Sequence, residues 1–275
     1  MPISSYFYHE TIKKYTICFG TIFNNITIKR TNSAGAVIQT QRVPIQNMPK
    51  QKWFVRSKAE PNLEKKASIT LPAMGFEMVS MSYNPQRKLN TVENYVKTNN
   101  TNKNYMDQAF SPVPYDLGFD LYIMAKNRDD MSQIIEQIIP FFRPELNVKI
   151  KIMETELGIT QDTPFILNSI NSELIYEGNF ENKNSYVYTL NFTCQGNFYG
   201  PVSTEPIIKT INYDVYLSSN TEETATTIAA NTPDIEMNIT PGLLANGSPT
   251  TNSTLSVATS EIAVEDDYGF CRDIT

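Results

Sequence analysis

Between Tyr115 and Ile152 the hydrophobic period of the chain changes from two to about 3.6 and back to two, which restricts the fold more than any other stretch. Leu117, Phe119, Leu121 and Ile123 alternate with Asp120 and Tyr122, the pattern of a half-buried strand. Asn127 or Asp129 is placed to cap a following helix, and Asp129 and Asp130 fall in its first turn, where carboxylates meet the positive end of the helix dipole. Met131, Ile134, Ile135 and Ile138 then form one apolar stripe facing the sheet. Pro140 lacks the N–H a continuing helix needs, and Pro144 drives the chain toward extended backbone. Val148, Ile150 and Ile152 follow as a second strand with Lys149 and Lys151 outward. The unit carries no glycine-rich phosphate loop and no titratable residue on its apolar side, so it reads as a scaffold.

The flanking segments supply further sheet. Tyr8, Ile12, Tyr15 and Phe19 share one helical face over 6–23. Segments 22–29 and 37–43 read as a hairpin turning at Asn32 to Gly35, and Pro44 ends its ladder or places it at an edge. Pro49 starts a short helix that reaches Ser57, with Trp53 as a large core residue. Segments 67–71 and 75–83 are extended, and Asn84-Pro85 is a turn. Polar residues 86–104 read as a long loop. Runs 164–175 and 185–198 form a long antiparallel hairpin, with Tyr186, Tyr188, Leu190, Phe192 and Cys194 in one row, and 207–217 is a last strand.

From Ser218 the composition turns to Thr, Asn, Ser and Ala, too polar to build a core alone, which predicts an arm or a disordered tail. It carries nine acidic residues and one basic residue, a charge of −8, against +2 for residues 1–217. The body therefore lacks the basic stripe of a nucleic-acid binder, although Lys50, Lys52, Arg56, Lys58, Lys65 and Lys66 cluster locally. Mean hydropathy is −0.33, and no apolar run approaches the roughly 18 residues of a membrane helix. The reading is a soluble chain without a signal peptide. Cys18, Cys194 and Cys271 are odd in number and far apart, which suits a reducing compartment and argues against a disulfide framework. The single histidine, His9, has no neighbouring cysteine, and no Walker loop, Gly-x-Ser-x-Gly or His-Glu-x-x-His appears. An enzyme is hard to assemble from this set, and neither a cofactor nor a metal site is expected.

Three groups of residues carry a resemblance: Arg42-Val43-Pro44-Ile45 after a hairpin, Leu71-Pro72 leading into Phe76 to Tyr83, and above all Asp129-Asp130-Met131 with the run Gln133 to Phe142. Over roughly residues 1 to 217 the chain resembles the tail sheath stabilisers of T-even-like contractile-tailed bacteriophages. The resemblance implies an α+β fold, a mixed, mostly antiparallel β-sheet flanked by a few helices as in tail terminators; it is silent on 218–275, which composition alone reads as an extended, acidic C-terminal arm. It implies a structural virion protein, assembled in the host cytoplasm, that forms a hexameric ring at the head-proximal end of the tail. Its partners would be copies of itself, the tail sheath protein, the tail tube terminator and the neck or head-completion proteins, with no membrane and no sequence-specific nucleic acid. The family brings no catalytic residues. Candidate interface residues are Arg42, Tyr83, Arg87, Lys88, Arg128, Asp129, Asp130, Phe198, Tyr199, Tyr268 and Phe270. Another tail or baseplate component stays open in the same class, as does a ligand binder or enzyme with a dispersed site, which would need convergent polar groups in an apolar cleft.

Overall fold

The computed structural model of the chain describes residues 6–51, 71–154, 157–175, 185–216 and 233–274. Trp53, the basic cluster from Lys52 to Lys66, the strand start at 67–70, the turn at 177–184 and the first part of the acidic segment lie outside the described residues. The chain divides into two compact units, Met1–Asn90 with Pro112–Glu154 and Gly158–Tyr199, and Thr91–Ser111 with Thr155–Leu157 and Gly200–Thr275. The units are thus drawn otherwise than by a single cut at residue 217.

In the first unit, helix α1 (Thr11–Ile22) precedes the hairpin β1 (Thr27–Thr31) and β2 (Val37–Arg42). A six-stranded sheet follows, built from β3 (Ile45–Asn47), β4 (Ala73–Tyr83), β7 (Val113–Ala125), β8 (Glu145–Met153), β9 (Ile159–Ile175) and β10 (Ser185–Phe198). Its spatial order is β3-β4-β7-β10-β9-β8, with the short β3 parallel to β4 and every other pair antiparallel. Helix α2 (Arg128–Ile138) and a 3-10 turn at Ile139–Phe141 connect β7 to β8, so the strand–helix–strand unit is present with β10 and β9 inserted between its strands.

The alternation in β7 sets the core. Leu117, Phe119, Leu121 and Ile123 are fully buried, in register with Cys194, Phe192, Leu190 and Tyr188 of β10. Over this row α1 lays Tyr15, Phe19 and Phe23. The Phe19 ring stacks on Phe119 at 4.7 Å and meets Phe23, Phe76, Phe165 and Phe192 at 5.1 to 5.9 Å. Gly20 lets the helix come this close, because a Cβ there would lie 2.8 Å from the Phe76 ring. The opposite sheet face is not simply polar. Met124, Ala73 and Val187 bury a second small cluster under Met48 and Leu71, and Tyr122, expected to point outward, is buried with its hydroxyl donating to Glu77.

Helix α2 buries Met131, Ile134 and Ile138, while Ile135 is only half-buried. Its N-cap is Asn127, which makes no side-chain capping bond. The helix is instead fastened to β1 by two glutamines. Gln133 accepts from the Lys29 N–H at 2.9 Å and donates to the Lys29 carbonyl at 3.0 Å, and Gln137 donates to the Thr27 carbonyl at 2.8 Å.

The second unit holds two three-stranded antiparallel sheets. One has the order β11-β6-β5, with β5 (Asn94–Thr98), β6 (Tyr105–Phe110) and β11 (Ser203–Pro206). The other has the order β12-β13-β14, with β12 (Ile211–Val215), β13 (Ile235–Gly242) and β14 (Gly269–Ile274). Two expectations change here. The long loop at 86–104 contains β5, whose Asn-Tyr-Val-Lys-Thr sequence is too polar to announce a strand. The segment after Ser218 supplies β13 and β14, because its scattered apolar residues fall on alternate positions once they are paired with β12. Glu265 ties its connecting loop to β5 through the Thr98 N–H at 3.1 Å, and Lys103 donates to the Glu261 carbonyl at 2.6 Å.

Phe19→Ala should lower the unfolding free energy by about 3–5 kcal/mol, as for other buried aromatic truncations, whereas Ile12→Ala on the open side of α1 should change it by about 0.5 kcal/mol or less. Denaturant unfolding giving similar losses for both would contradict the position assigned to Phe19.

Candidate functional site

The candidate interface residues fall in separate places. Five of them gather where β4 and β10 end and β7 begins. Tyr83 meets Tyr115 edge-on at 5.8 Å, and Tyr115 meets Phe198 at 5.5 Å. Arg87 reaches across the same end, donating to Asp116 at 3.1 Å, to the Asn197 side chain at 3.0 Å and to the carbonyls of Gln195 and Gly196 at 3.4 Å. Asn84 completes the arrangement with a 2.9 Å bond to Asp116. Arg87, in the turn after β4, is therefore largely occupied in clamping the ends of two strands, β7 and β10. Tyr199 is buried, and Lys88 and Tyr83 are exposed.

Arg128, Asp129 and Asp130 follow the opposite end of β7, which is about 40 Å long at about 3.3 Å per residue. Arg128 and Asp129 are exposed, but Asp130 is buried and accepts a 2.8 Å bond from Arg30 of β1. The helix dipole alone does not account for it: Asp130 is the ionic anchor of α2 on the hairpin. Arg42 closes the α1–β1 loop through the Asn24 carbonyl and side chain, both at 2.8 Å. Beside these elements an apolar groove of about 600 Å³ opens between the ends of α1 and α2 and the start of β8, lined by Ile22, Phe23, Ile26, Ile138, Phe141, Phe142 and Leu146. Phe141 is 67% exposed there, and Glu136 is the one charged side chain among the described residues of the lining.

In the second unit, Tyr268 and Phe270 pack edge-on at 5.8 Å. Phe270 belongs to a surface that the candidate set missed. The register of β12-β13-β14 puts Ile211, Tyr213 and Val215, then Ile235, Met237, Ile239 and Pro241, then Phe270, Arg272 and Ile274 on one face. The reverse face carries Asn212, Asp214, Glu236, Asn238, Thr240 and Asp273. Most of the apolar face is open: Tyr213 is 60% and Ile274 62% exposed, and Ile211, Ile235 and Phe270 are exposed as well, while Pro241 at one end is buried. On the reverse side Gly242 and Gly269 admit the Thr250 carbonyl, which a Cβ at either position would meet at 2.2 and 2.6 Å. Of the three strands only β12 was legible, within the strand read at 207–217, and only the pairing of β12, β13 and β14 shows that three apolar faces coincide.

Charge separates with the units. The first contains 19 basic and 15 acidic residues, a net +4, and the second 4 and 14, a net −10. The titratable groups do not form a reactive set. Burial pushes the Cys18 thiol up to about 11 and raises Cys194 as well, which disfavours the nucleophilic thiolate in both. Burial, and then the hydrogen bond to Glu77, also raise the Tyr122 phenol. Among the described residues no group of three His, Cys, Asp or Glu side chains could hold a metal ion, and no helix is long and apolar enough to cross a membrane.

A family model describing the T4-like virus Myoviridae tail sheath stabiliser matches residues 6–266. The chain belongs to the tail sheath stabiliser family. The match runs well past residue 217, where the sequence resemblance had stopped, and takes in β13 and the loop that follows it. A relative is the tail completion protein gp15 of Enterobacteria phage T4, 26% identical over 222 residues, which cover 78% of this chain and 80% of that protein. As a tail sheath stabiliser family member, the chain is a structural phage tail protein.

Arg87→Ala should cost about 1–2 kcal/mol through the stranded Asp116 and strand-end carbonyls, and Arg87→Lys should recover only part because it cannot fork between partners; full recovery by lysine would refute the clamp. For Glu265, burial works to raise the pKa, but hydrogen bonds from Thr98 and from backbone N–H groups outweigh it and hold the carboxyl below the usual glutamate range. A depressed folded pKa gives stability that is present above the ordinary value of about 4.3 and lost as pH falls through the folded value. Hydrogen exchange at the Thr98 amide should therefore accelerate in strong acid beyond its intrinsic pH dependence, and Glu265→Gln should remove that excess; an unchanged profile in the variant would disprove the coupling.

Proposed function

We propose that the protein forms a homo-oligomeric ring, a hexamer, at the head-proximal end of a contractile phage tail, with no enzymatic role. In this reading the ring caps the last layer of sheath subunits and the tube terminator and offers the surface on which the neck docks. The family match over residues 6–266 carries the proposal, since its description is that of a protein that stabilises the tail sheath. The fold supports it in physical terms. A rigid, aromatic-cored first unit suits a load-bearing part, and the open apolar sheet face of the second unit suits a protein that works in contact with others. The titratable groups serve structure: Asp130 holds Arg30, Asp116 holds Arg87 and Glu265 holds Thr98.

Electron microscopy of purified tails should show density for this protein only at the end distal to the baseplate, with sixfold symmetry. Tails made without it should lose sheath from that end. Density along the shaft or in the baseplate, or sheaths of full length in its absence, would overturn the reading.

A further inference from the structure

We propose that the apolar face of β12-β13-β14 in one copy seats on the apolar groove of the first unit in a second copy, so that each copy gives one such contact and receives one. The inference rests on the ring reading above and names the contact that would close it.

A sheet with one apolar face is stable when that face is covered. Here the face is open in the single chain, with Tyr213 and Ile274 more than half exposed. Strands of five, eight and six residues give it a footprint of roughly 300–400 Å², at about 3.3 Å per residue and about 4.8 Å between strands. That is half or less of the roughly 800 Å² each partner contributes to an ordinary stable interface. One such contact would not hold a dimer. Repeated head-to-tail around a closed ring it acts cooperatively, and a contact between two different surfaces is the kind that generates rings.

Charge chooses the occupant. Two of these faces packed together would join two units of net −10, whereas the face against the first unit of another copy joins −10 to +4. The local chemistry agrees with the global balance. Arg272 is the one charge among the described residues of the apolar face, and Glu136 is the one charge among those lining the groove. Both are exposed. Phe141, standing out from the groove, provides the apolar surface that Tyr213 and Ile274 would cover.

The test is a charge swap in the full chain, scored by native mass spectrometry in solution and by retention of the protein on purified tails. Arg272→Glu and Glu136→Arg, made singly, should each weaken ring assembly by about tenfold or more. Both positions are exposed, so circular dichroism and the unfolding midpoint should stay at wild-type values. The double variant should assemble again. An equimolar mixture of the two single variants should also assemble in an alternating ring, because the altered face of the Arg272→Glu variant meets the altered groove of the Glu136→Arg variant, and the native face of the latter meets the native groove of the former, with charges matched at both contacts. Rescue in the double variant without rescue in the mixture would mean that the pair meets within one chain, and the proposal falls. Single variants that assemble like wild type, or a swap that rescues neither, would remove the contact while leaving the ring reading intact. A wild-type protein that forms no ring in solution or on tails would overturn that reading and this contact with it.

Discussion

The first unit depends on the contact between one face of α1 and the inner row of its sheet. Phe19 brings together rings from α1, β4, β7, β9 and β10, so elements from four distant parts of the sequence become neighbours through one side chain. Aromatic rings bury large areas with few rotatable bonds, which makes such a cluster both strong and specific in geometry. The strand order follows from it. With β9 and β10 delivering Phe165 and Phe192 to the same ring, they occupy the centre beside β7 and leave β8 at the edge.

The sequence disclosed what local periodicity can disclose. The alternation of Leu117 to Ile123, the stripe through Met131, Ile134 and Ile138, and the long hairpin of β9 and β10 were all legible, since each depends on spacing along one element. It concealed what depends on pairing. Tyr122 looked solvent-facing because nothing nearby in sequence shows that Glu77 and Lys50 cover it, the latter with its ammonium 5.5 Å above the ring. Asp130 looked like a dipole residue until Arg30, a hundred residues earlier, was found beside it. The charged and aromatic candidates were chosen for their chemistry, and several of them, Arg42, Arg87 and Asp130 among these, are engaged in holding their own chain.

The second unit shows the same limit more sharply. A segment of Thr, Asn and Ser with isolated apolar residues reads as having too little to bury by itself. It nevertheless forms two strands, because β12 supplies a template and because Glu265 and Lys103 attach its loop to β5 and to the turn after it. Low hydrophobicity limited the depth of its packing without preventing order. Ile235, Phe270 and Ile274 remain exposed on the outside of its sheet, while Leu243, Ile262 and Cys271 are buried.

The glutamine pair on α2 has an effect on what the protein cannot do. Gln133 and Gln137 place side-chain amides against the main-chain groups of Lys29 and Thr27, so the outer border of β1 is already occupied as if by another strand. An unguarded strand border is a template on which further chains can polymerise. With one border sealed, the β1-β2 ribbon can accept an added strand along β2 only, and growth from both sides into a fibre is blocked. A structural protein of a phage tail thereby carries, in two uncharged side chains, a safeguard against nucleating a filament of its own.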